Sequence, residues 1–323
     1  MIKFRVAFLS TNNNFATHII KSMKKKHEVC LLKSVNPKLD RIASLLNWAD
    51  LVYVEWCDKL LKLAIELRPD KPIVARLHKY ELFTRYMYEI DFSKVDLLIY
   101  NIASTHTREL FHEICETKPK REVILPDGVD LDLFSFNEHR DFKPPYQCCI
   151  VGRVYPNKGQ YELIRMWADL DDPDFHLNIV GKPVDGMYYR NCVDLVDVLE
   201  LRGRVSFTHR MARPCLADFL RTQHIIISNS RDEGNHTVVK EAMATGCYPL
   251  LNCWRGVYET YPRWTPFHTE KEFISQLKGW KRYKDKSKLA REARAFITTK
   301  YDVKVSALKI VKECEKVYRR CRR

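Results

Sequence analysis

No apolar run in the 323 residues approaches the roughly 18 that a membrane-spanning helix needs. Glycine (10) and proline (14) are too scarce for a fibrous or low-complexity chain, and no repeat with a period of roughly 20–50 residues is visible. Eleven cysteines are present, but the number is odd, the spacing is irregular and no C-x2-C pair occurs, which argues against a disulfide framework or a zinc site. They read as reduced, mostly buried thiols. Cys148 and Cys149 are adjacent in an apparent strand and so face opposite ways. Neither G-x-G-x-x-G nor G-x-x-x-x-G-K-[ST] occurs, which disfavours a dinucleotide dehydrogenase and a P-loop NTPase.

What is present suits a globular protein. With 46% hydrophobic residues the chain can bury two cores of about 100–200 residues each. Its net charge of +14 is polarised: residues 281–323 hold 16 Lys or Arg against 5 Asp or Glu, and residues 1–80 hold 15 against 7. Such a chain is drawn to polyanions, whether nucleic acid, an acidic membrane surface or phosphorylated substrates, and charge alone does not choose among them. A solvated basic helix that only aids solubility is the plainer alternative. The opening MIKFRVAFLS runs into STNNN without a small-residue cleavage pattern, so it is expected to be a strand rather than a signal peptide, in a cytoplasmic protein with peripheral membrane contact left open.

Short apolar runs alternate with helical patterns. KFRVAFLS, HEVCLL, DLVYVEW, PIVARL, DLLIYN and REVILP read as strands of a parallel sheet covered on both faces, with amphipathic helices between them. The pattern restarts with QCCIVGRV, FHLNIVG, RVSFTH, HIIISNS and CYPLLN. Residues 137–146 are polar, end in Pro144-Pro145 and suit an interdomain linker. The expected organisation is α/β: a Rossmann-like domain over 1–138, a second Rossmann-like domain over 139–286, and a basic helical segment over 287–323. In that last segment a break is expected at Thr298-Thr299.

Two stretches carry chemistry. In ISNSRDEGNHTVVKEAMATGCYPLLN a strand ends in a polar loop, and a helix is expected from Thr237 to Thr245, stopping at Gly246. Its first backbone amides form a site for an anion or for hydroxyls. Glu233 in the loop and Glu241 in the second turn can meet different parts of one ligand, although an acidic helix start with a surface glutamate is a common arrangement. In CCIVGRVYPNKGQYELI a strand, a glycine turn and a helix place Arg153 and Lys158 at a strand end, where two cations suit a diphosphate.

VGRVYPNKG, SRDEGNHTVVKEAMATGCYPLL and ILPDGVDLDLF resemble, in that order and spacing, the signatures of family 4 retaining glycosyltransferases (glycosyl transferases group 1). The resemblance covers residues 124–255 closely and 1–123 only in topology. It implies a GT-B fold, two Rossmann-like domains facing a central cleft, with the final helix packing back on the first domain. Arg153 and Lys158 match the residues that hold the donor diphosphate, and Glu241 the one that accepts from the donor ribose. Glu233 matches the glutamate near the sugar hydroxyls, and Gly234, Asn235, His236 and Thr237 the amide-bearing loop. The family's GFG is here GNH. Arg210 and Met211 fall where the nucleobase pocket usually lies. His78 resembles a histidine at a strand end facing the donor sugar, and Ser10-Thr11-Asn12-Asn13-Asn14 replaces the glycine-rich opening loop, with Asn12, Asn13 and Asn14 as an acceptor-side cradle able to adopt left-handed backbone.

The implied catalytic set is Glu233, His78, Arg153 and Lys158, without metal or cofactor and with a UDP- or GDP-linked sugar as co-substrate. Asp130-Leu131-Asp132 is formally D-x-D but lies in the GVDLDLF segment. The implied activity is a metal-independent hexosyltransferase of glycan, polysaccharide or glycolipid synthesis. A glycosyltransferase acting on a modified nucleic-acid base and a GT-B sugar-nucleotide epimerase are the alternatives. The acceptor is expected to be a glycan or glycolipid, with an anionic membrane surface or nucleic acid as the partner of the basic segments.

Overall fold

The computed structural model describes residues 3–68 and 70–322. The first six apolar runs form β1 (Arg5–Ser10), β2 (Glu28–Lys33), β3 (Leu51–Val54), β4 (Ile73–Leu77), β5 (Leu97–Tyr100) and β6 (Glu122–Ile124). They pair in parallel in the order β2-β1-β3-β4-β5-β6. The second series forms β7 (Tyr146–Val151), β8 (Phe175–Val180), β9 (Val205–Thr208), β10 (Ile225–Ser228), β11 (Tyr248–Asn252) and β12 (Pro266–Phe267). Its order is β12-β11-β10-β7-β8-β9, again parallel.

Continuous apolar runs are needed because each strand feeds two cores. Val52 and Val54 of β3 join a cluster with Leu61 and Phe92, while Leu51 and Tyr53 join another with Phe8 and Val311. In β7 the same alternation sends Cys148 and Cys149 into different cores. All eleven cysteines are free thiols, and burial pushes those of Cys148 and Cys149 up. The chain direction across each sheet reverses between β1 and β3 and between β7 and β10. In doubly wound sheets that switch point is where ligands bind, beyond the carboxyl ends of the strands.

Two compact units result, one made of the residues up to Gly128 together with those from Val303, the other of Val129–Asp302. These limits differ from the expected 1–138, 139–286 and 287–323. Residues 137–146 are not a free linker but lie on the second unit: Asn137 N–H donates to the Thr245 carbonyl (3.3 Å), and the buried Arg140 donates to the same oxygen (2.7 Å). The expected break at Thr298-Thr299 is absent. Both hydroxyls donate to the Ala295 carbonyl (3.0 and 2.8 Å) and stay inside the helix Lys286–Lys300. The chain turns instead at Tyr301-Asp302, before the helix Val303–Cys321.

That last helix packs in the first unit against the helix Thr17–Lys24 and buries Ala307, Ile310, Val311, Cys314, Val317 and Tyr318. Of its apolar residues, Val305 and Leu308 face solvent, and Phe296 of the preceding helix packs in the second unit. Among the described residues no helix is long and apolar enough to cross a membrane.

Candidate functional site

The second unit gathers its polar groups at the carboxyl ends of β7 and β10, on the two sides of its switch point. After β7 the chain makes a short 3-10 turn, Pro156–Lys158, and enters the helix Gln160–Leu170 through Gly159, whose φ of +66° only glycine adopts readily. A Cβ on Gly159 would lie 2.4 Å from the Asn229 carbonyl oxygen, while the Asn229 side chain donates to the Gly159 carbonyl (2.8 Å). This contact ties the Lys158 turn to the loop after β10.

That loop leads into the helix Thr237–Thr245, capped at its far end by Gly246 (φ +98°), with the limits expected from the sequence. Lys158 Nζ forms an ion pair with Glu233 Oε1, and His236 Nδ1 stands 3.5 Å from the same oxygen. His236 Nδ1 also lies 2.8 Å from Ser228 Oγ, and the His236 carbonyl accepts from the Tyr261 hydroxyl (2.9 Å). Asn235 accepts from the fully buried Lys240, which stands 3.7 Å from the centre of the Tyr301 ring. The Thr237 hydroxyl donates to the Asn235 carbonyl (2.9 Å). In this chain the loop that departs from GFG is therefore tied down by an ammonium on its own helix.

Burial lowers His236 to about 4, so it is neutral at pH 7. Burial presses the Glu233 carboxyl upward, but His236 and the Lys158 ammonium more than offset it, and the carboxyl lies below the usual range. Glu241 is 4% exposed; burial raises it, and Arg213, with Nη2 at 2.8 Å, opposes the rise. Arg213 also stands over the Phe134 ring.

Lys158, Glu233, Asn235, His236, Thr237 and Glu241 thus lie at one end of one sheet, with Gly234 between them in the chain. Arg153 follows β7 at the same edge, exposed and over the Tyr155 ring. Arg210 is exposed on the loop after β9, and Met211 packs on the core beside it. It is Arg213, the first residue of the helix Arg213–Thr222 that follows this loop and not singled out from the sequence, that reaches Glu241. Asp130 of the formal D-x-D caps its own turn by accepting from Leu133 N–H (3.2 Å). Among the described residues no group of three or more His, Cys, Asp or Glu is placed to hold a metal ion.

The first unit has its own polar centre at the ends of β3, β4, β5 and β6. Arg76, 1% exposed, donates to Glu55 (2.6 Å) and to Asp127. Tyr53 donates to the other oxygen of Glu55 (3.2 Å). His78 is not open to a ligand through its ring nitrogens: Nδ1 faces Asn101 Nδ2 (2.6 Å), Nε2 faces Glu55 (3.3 Å), and the ring stacks on Trp56 at 3.7 Å. Burial holds it below the usual histidine range. Because Asn101 Nδ2 also donates to Asp127 (3.0 Å), His78 Nδ1 acts as acceptor and the ring is the neutral Nε2–H form.

Asn12, Asn13 and Asn14 make a turn at the switch point beside β1. The Asn12 carbonyl accepts from Trp56 Nε1 (2.8 Å), the Asn12 side chain from Asn14 N–H (3.0 Å), and the Asn13 carbonyl from Ala16 N–H (3.0 Å). None of the three adopts the left-handed backbone that asparagine tolerates. Sequence reading missed Glu55, Arg76, Asn101 and Asp127. The available signal was an arginine inside PIVARL, since a strand buried on both faces can hold a cation only against buried carboxylates.

Residues 134–260 match the family described as Glycosyl transferases group 1. No curated protein matches the chain in sequence. Among solved structures, HepE of Anabaena in complex with UDP superposes with a TM-score of 0.79 at 16% identity, over 97% of this chain and 100% of that one. A glycosyltransferase of Rickettsia africae gives 0.75 at 12% identity over 98% and 99%. Sucrose-phosphate synthase of Thermosynechococcus elongatus gives 0.72 at 14% identity, also over 98% and 99%. The fold is GT-B.

Proposed function

From a chain whose residues 134–260 are a glycosyl transferases group 1 segment on a GT-B fold, we propose a glycosyltransferase that moves a sugar from a nucleoside diphosphate to an acceptor hydroxyl. The observation that carries this reading is the joining of Lys158, Glu233 and His236 at the switch point, with Glu241 and Arg213 further along the same edge. Lys158, Arg153 and the first amides of the helix Thr237–Thr245 neutralise the diphosphate as it leaves, the role a divalent ion fills elsewhere, so transfer proceeds without metal or cofactor. Glu241 accepts from the ribose, and Glu233 takes sugar hydroxyls once the diphosphate draws Lys158 away from it.

The bond from the anomeric carbon to the diphosphate oxygen breaks, and a bond to the acceptor oxygen forms on the same face. The acceptor proton passes to the departing diphosphate, and configuration is retained. A uridine diphosphate donor is favoured by the UDP bound in HepE. The acceptor is a glycan or glycolipid hydroxyl.

A thermal-shift screen of UDP- and GDP-sugars identifies the donor, because a ligand that binds only the folded chain raises its apparent stability. With that donor, Lys158→Ala and Arg153→Ala each lower turnover, by an amount corresponding to about 1.5–3 kcal/mol for a lost charge-assisted contact. EDTA leaves turnover unchanged. No shift with any sugar nucleotide, or strict dependence on a divalent ion, overturns the respective part of the proposal.

A further inference from the structure

The helix Val303–Cys321 has two sharply different sides. At about 100° per residue, its buried side chains occupy one half of the circumference. The other half carries Lys304, Val305, Leu308, Lys309, Lys312, Lys316, Arg319 and Arg320, all exposed. Glu313 and Glu315 lie at the two margins of that face and are consumed there. Glu313 pairs with Arg121 (3.2 Å) and Lys316 (2.5 Å), and Glu315 with Lys26 (3.2 Å) and His27 (3.4 Å). Lys309, Lys312, Arg319 and Arg320 enter no ion pair among the described residues.

The neighbouring helix Thr17–Lys24 extends the positive field. It buries Ile19 and Met23 against the same core, contains no acidic residue and turns Lys21 and Lys24 outward, followed by exposed Lys25.

Within this field lie two apolar side chains, Val305 (48% exposed) and Leu308 (44%). A helix that is merely solvated gains nothing by placing them there. Cations interleaved with apolar side chains on a convex surface suit the headgroup region of an anionic bilayer. There ammonium and guanidinium groups meet lipid phosphates while Leu and Val reach the acyl boundary. A nucleic-acid backbone satisfies the cations but has nothing to offer the leucine.

We propose that the outer face of the helix Val303–Cys321, together with that of Thr17–Lys24, docks the protein on an anionic lipid surface. This inference is independent of the transfer reaction.

Co-sedimentation of the full chain with phosphatidylcholine vesicles, with and without about one third phosphatidylglycerol, tests it at about 0.1 M salt. The protein binds the anionic vesicles and not the neutral ones. The combined change Lys309→Gln, Lys312→Gln, Arg319→Gln and Arg320→Gln weakens binding at least about tenfold without lowering the melting temperature. Leu308→Ser weakens it several-fold. Equal binding to both vesicle types, no binding, or binding indifferent to these changes overturns the proposal. Binding to a short DNA duplex that is unaffected by Leu308→Ser, with none to vesicles, assigns the face to nucleic acid instead.

Discussion

Glu233 stands between a cation, Lys158, and a histidine that burial keeps neutral. Because His236 titrates near 6.5 when unfolded and near 4 when folded, the unfolded chain binds more protons throughout that interval. Stability is therefore unaffected by this group above about pH 6.5 and falls as pH drops toward 4. Between pH 7 and pH 5 the loss from His236 alone is about 2 kcal/mol. Urea unfolding of the parent and of His236→Asn at both pH values checks it: the variant's slope is shallower by about that amount.

In the first unit, Arg76→Met leaves Glu55 and Asp127 buried without their cation and costs ~3–5 kcal/mol. Adding Glu55→Gln and Asp127→Asn recovers part of that loss. If the triple variant unfolds no later in urea than the single one, the two carboxylates are not the source of the cost.

At the scale of elements, the turn Pro156–Lys158 and the helix Val303–Cys321 depend on tertiary contacts of opposite kinds. Gly159→Ala brings a Cβ against the Asn229 carbonyl at a residue with φ of +66°, so the Lys158 turn must shift. The expected cost is about 1–3 kcal/mol of stability together with weaker donor binding, read by unfolding and by donor titration. The helix Val303–Cys321 is held by its inner face: Ile310→Ala costs about 2–5 kcal/mol. Lys312→Gln on the outer face changes unfolding by no more than about 0.5 kcal/mol. Comparable effects on the two faces would show that the helix is not packed as described.

For the whole molecule, the chain closes its first unit only after completing the second. Residues 1–128 alone lack Ile310, Val311, Val317 and Tyr318 and expose Val6, Phe8 and Tyr53, which share a core with them. That fragment is expected to be aggregated or unfolded, and fusing residues 303–322 to it through a flexible linker restores cooperative melting. Under the proposed function, donor binding acts on the other unit. At about one hundred times its Kd a sugar nucleotide adds roughly 2.7 kcal/mol to the unit holding Glu233 and Glu241. Calorimetry therefore shows a melting transition that moves with ligand.

Much of this architecture follows from local pattern. A strand in a sheet covered on both faces must be apolar at every position, so DLVYV, DLLIY and HIIIS announce themselves without any knowledge of their neighbours. The helix Thr237–Thr245 is bounded by a polar loop and by a glycine in left-handed geometry, signals carried within ten residues. The candidate site residues of that motif, with Arg153 and Lys158, are legible as a pattern because they lie in short segments. β12, two residues long, is too short to show a period.

What could not be read locally are pairings between distant residues. Arg213 meets Glu241 only because the helix Arg213–Thr222 packs on Thr237–Thr245, and Arg76 meets Glu55 and Asp127 only because parallel register brings neighbouring strand ends together. His78, a ligand candidate at a strand end by sequence, has both ring nitrogens engaged by Asn101 and Glu55 for the same reason. Thr298 and Thr299 resemble a break, yet their hydroxyls bond back into the helix. Which unit the last helix completes is set by the core that Ile310 and Val311 can bury against. Propensity and periodicity act over a few residues, whereas the burial of charge and of apolar faces is decided by whichever partners the folded chain supplies.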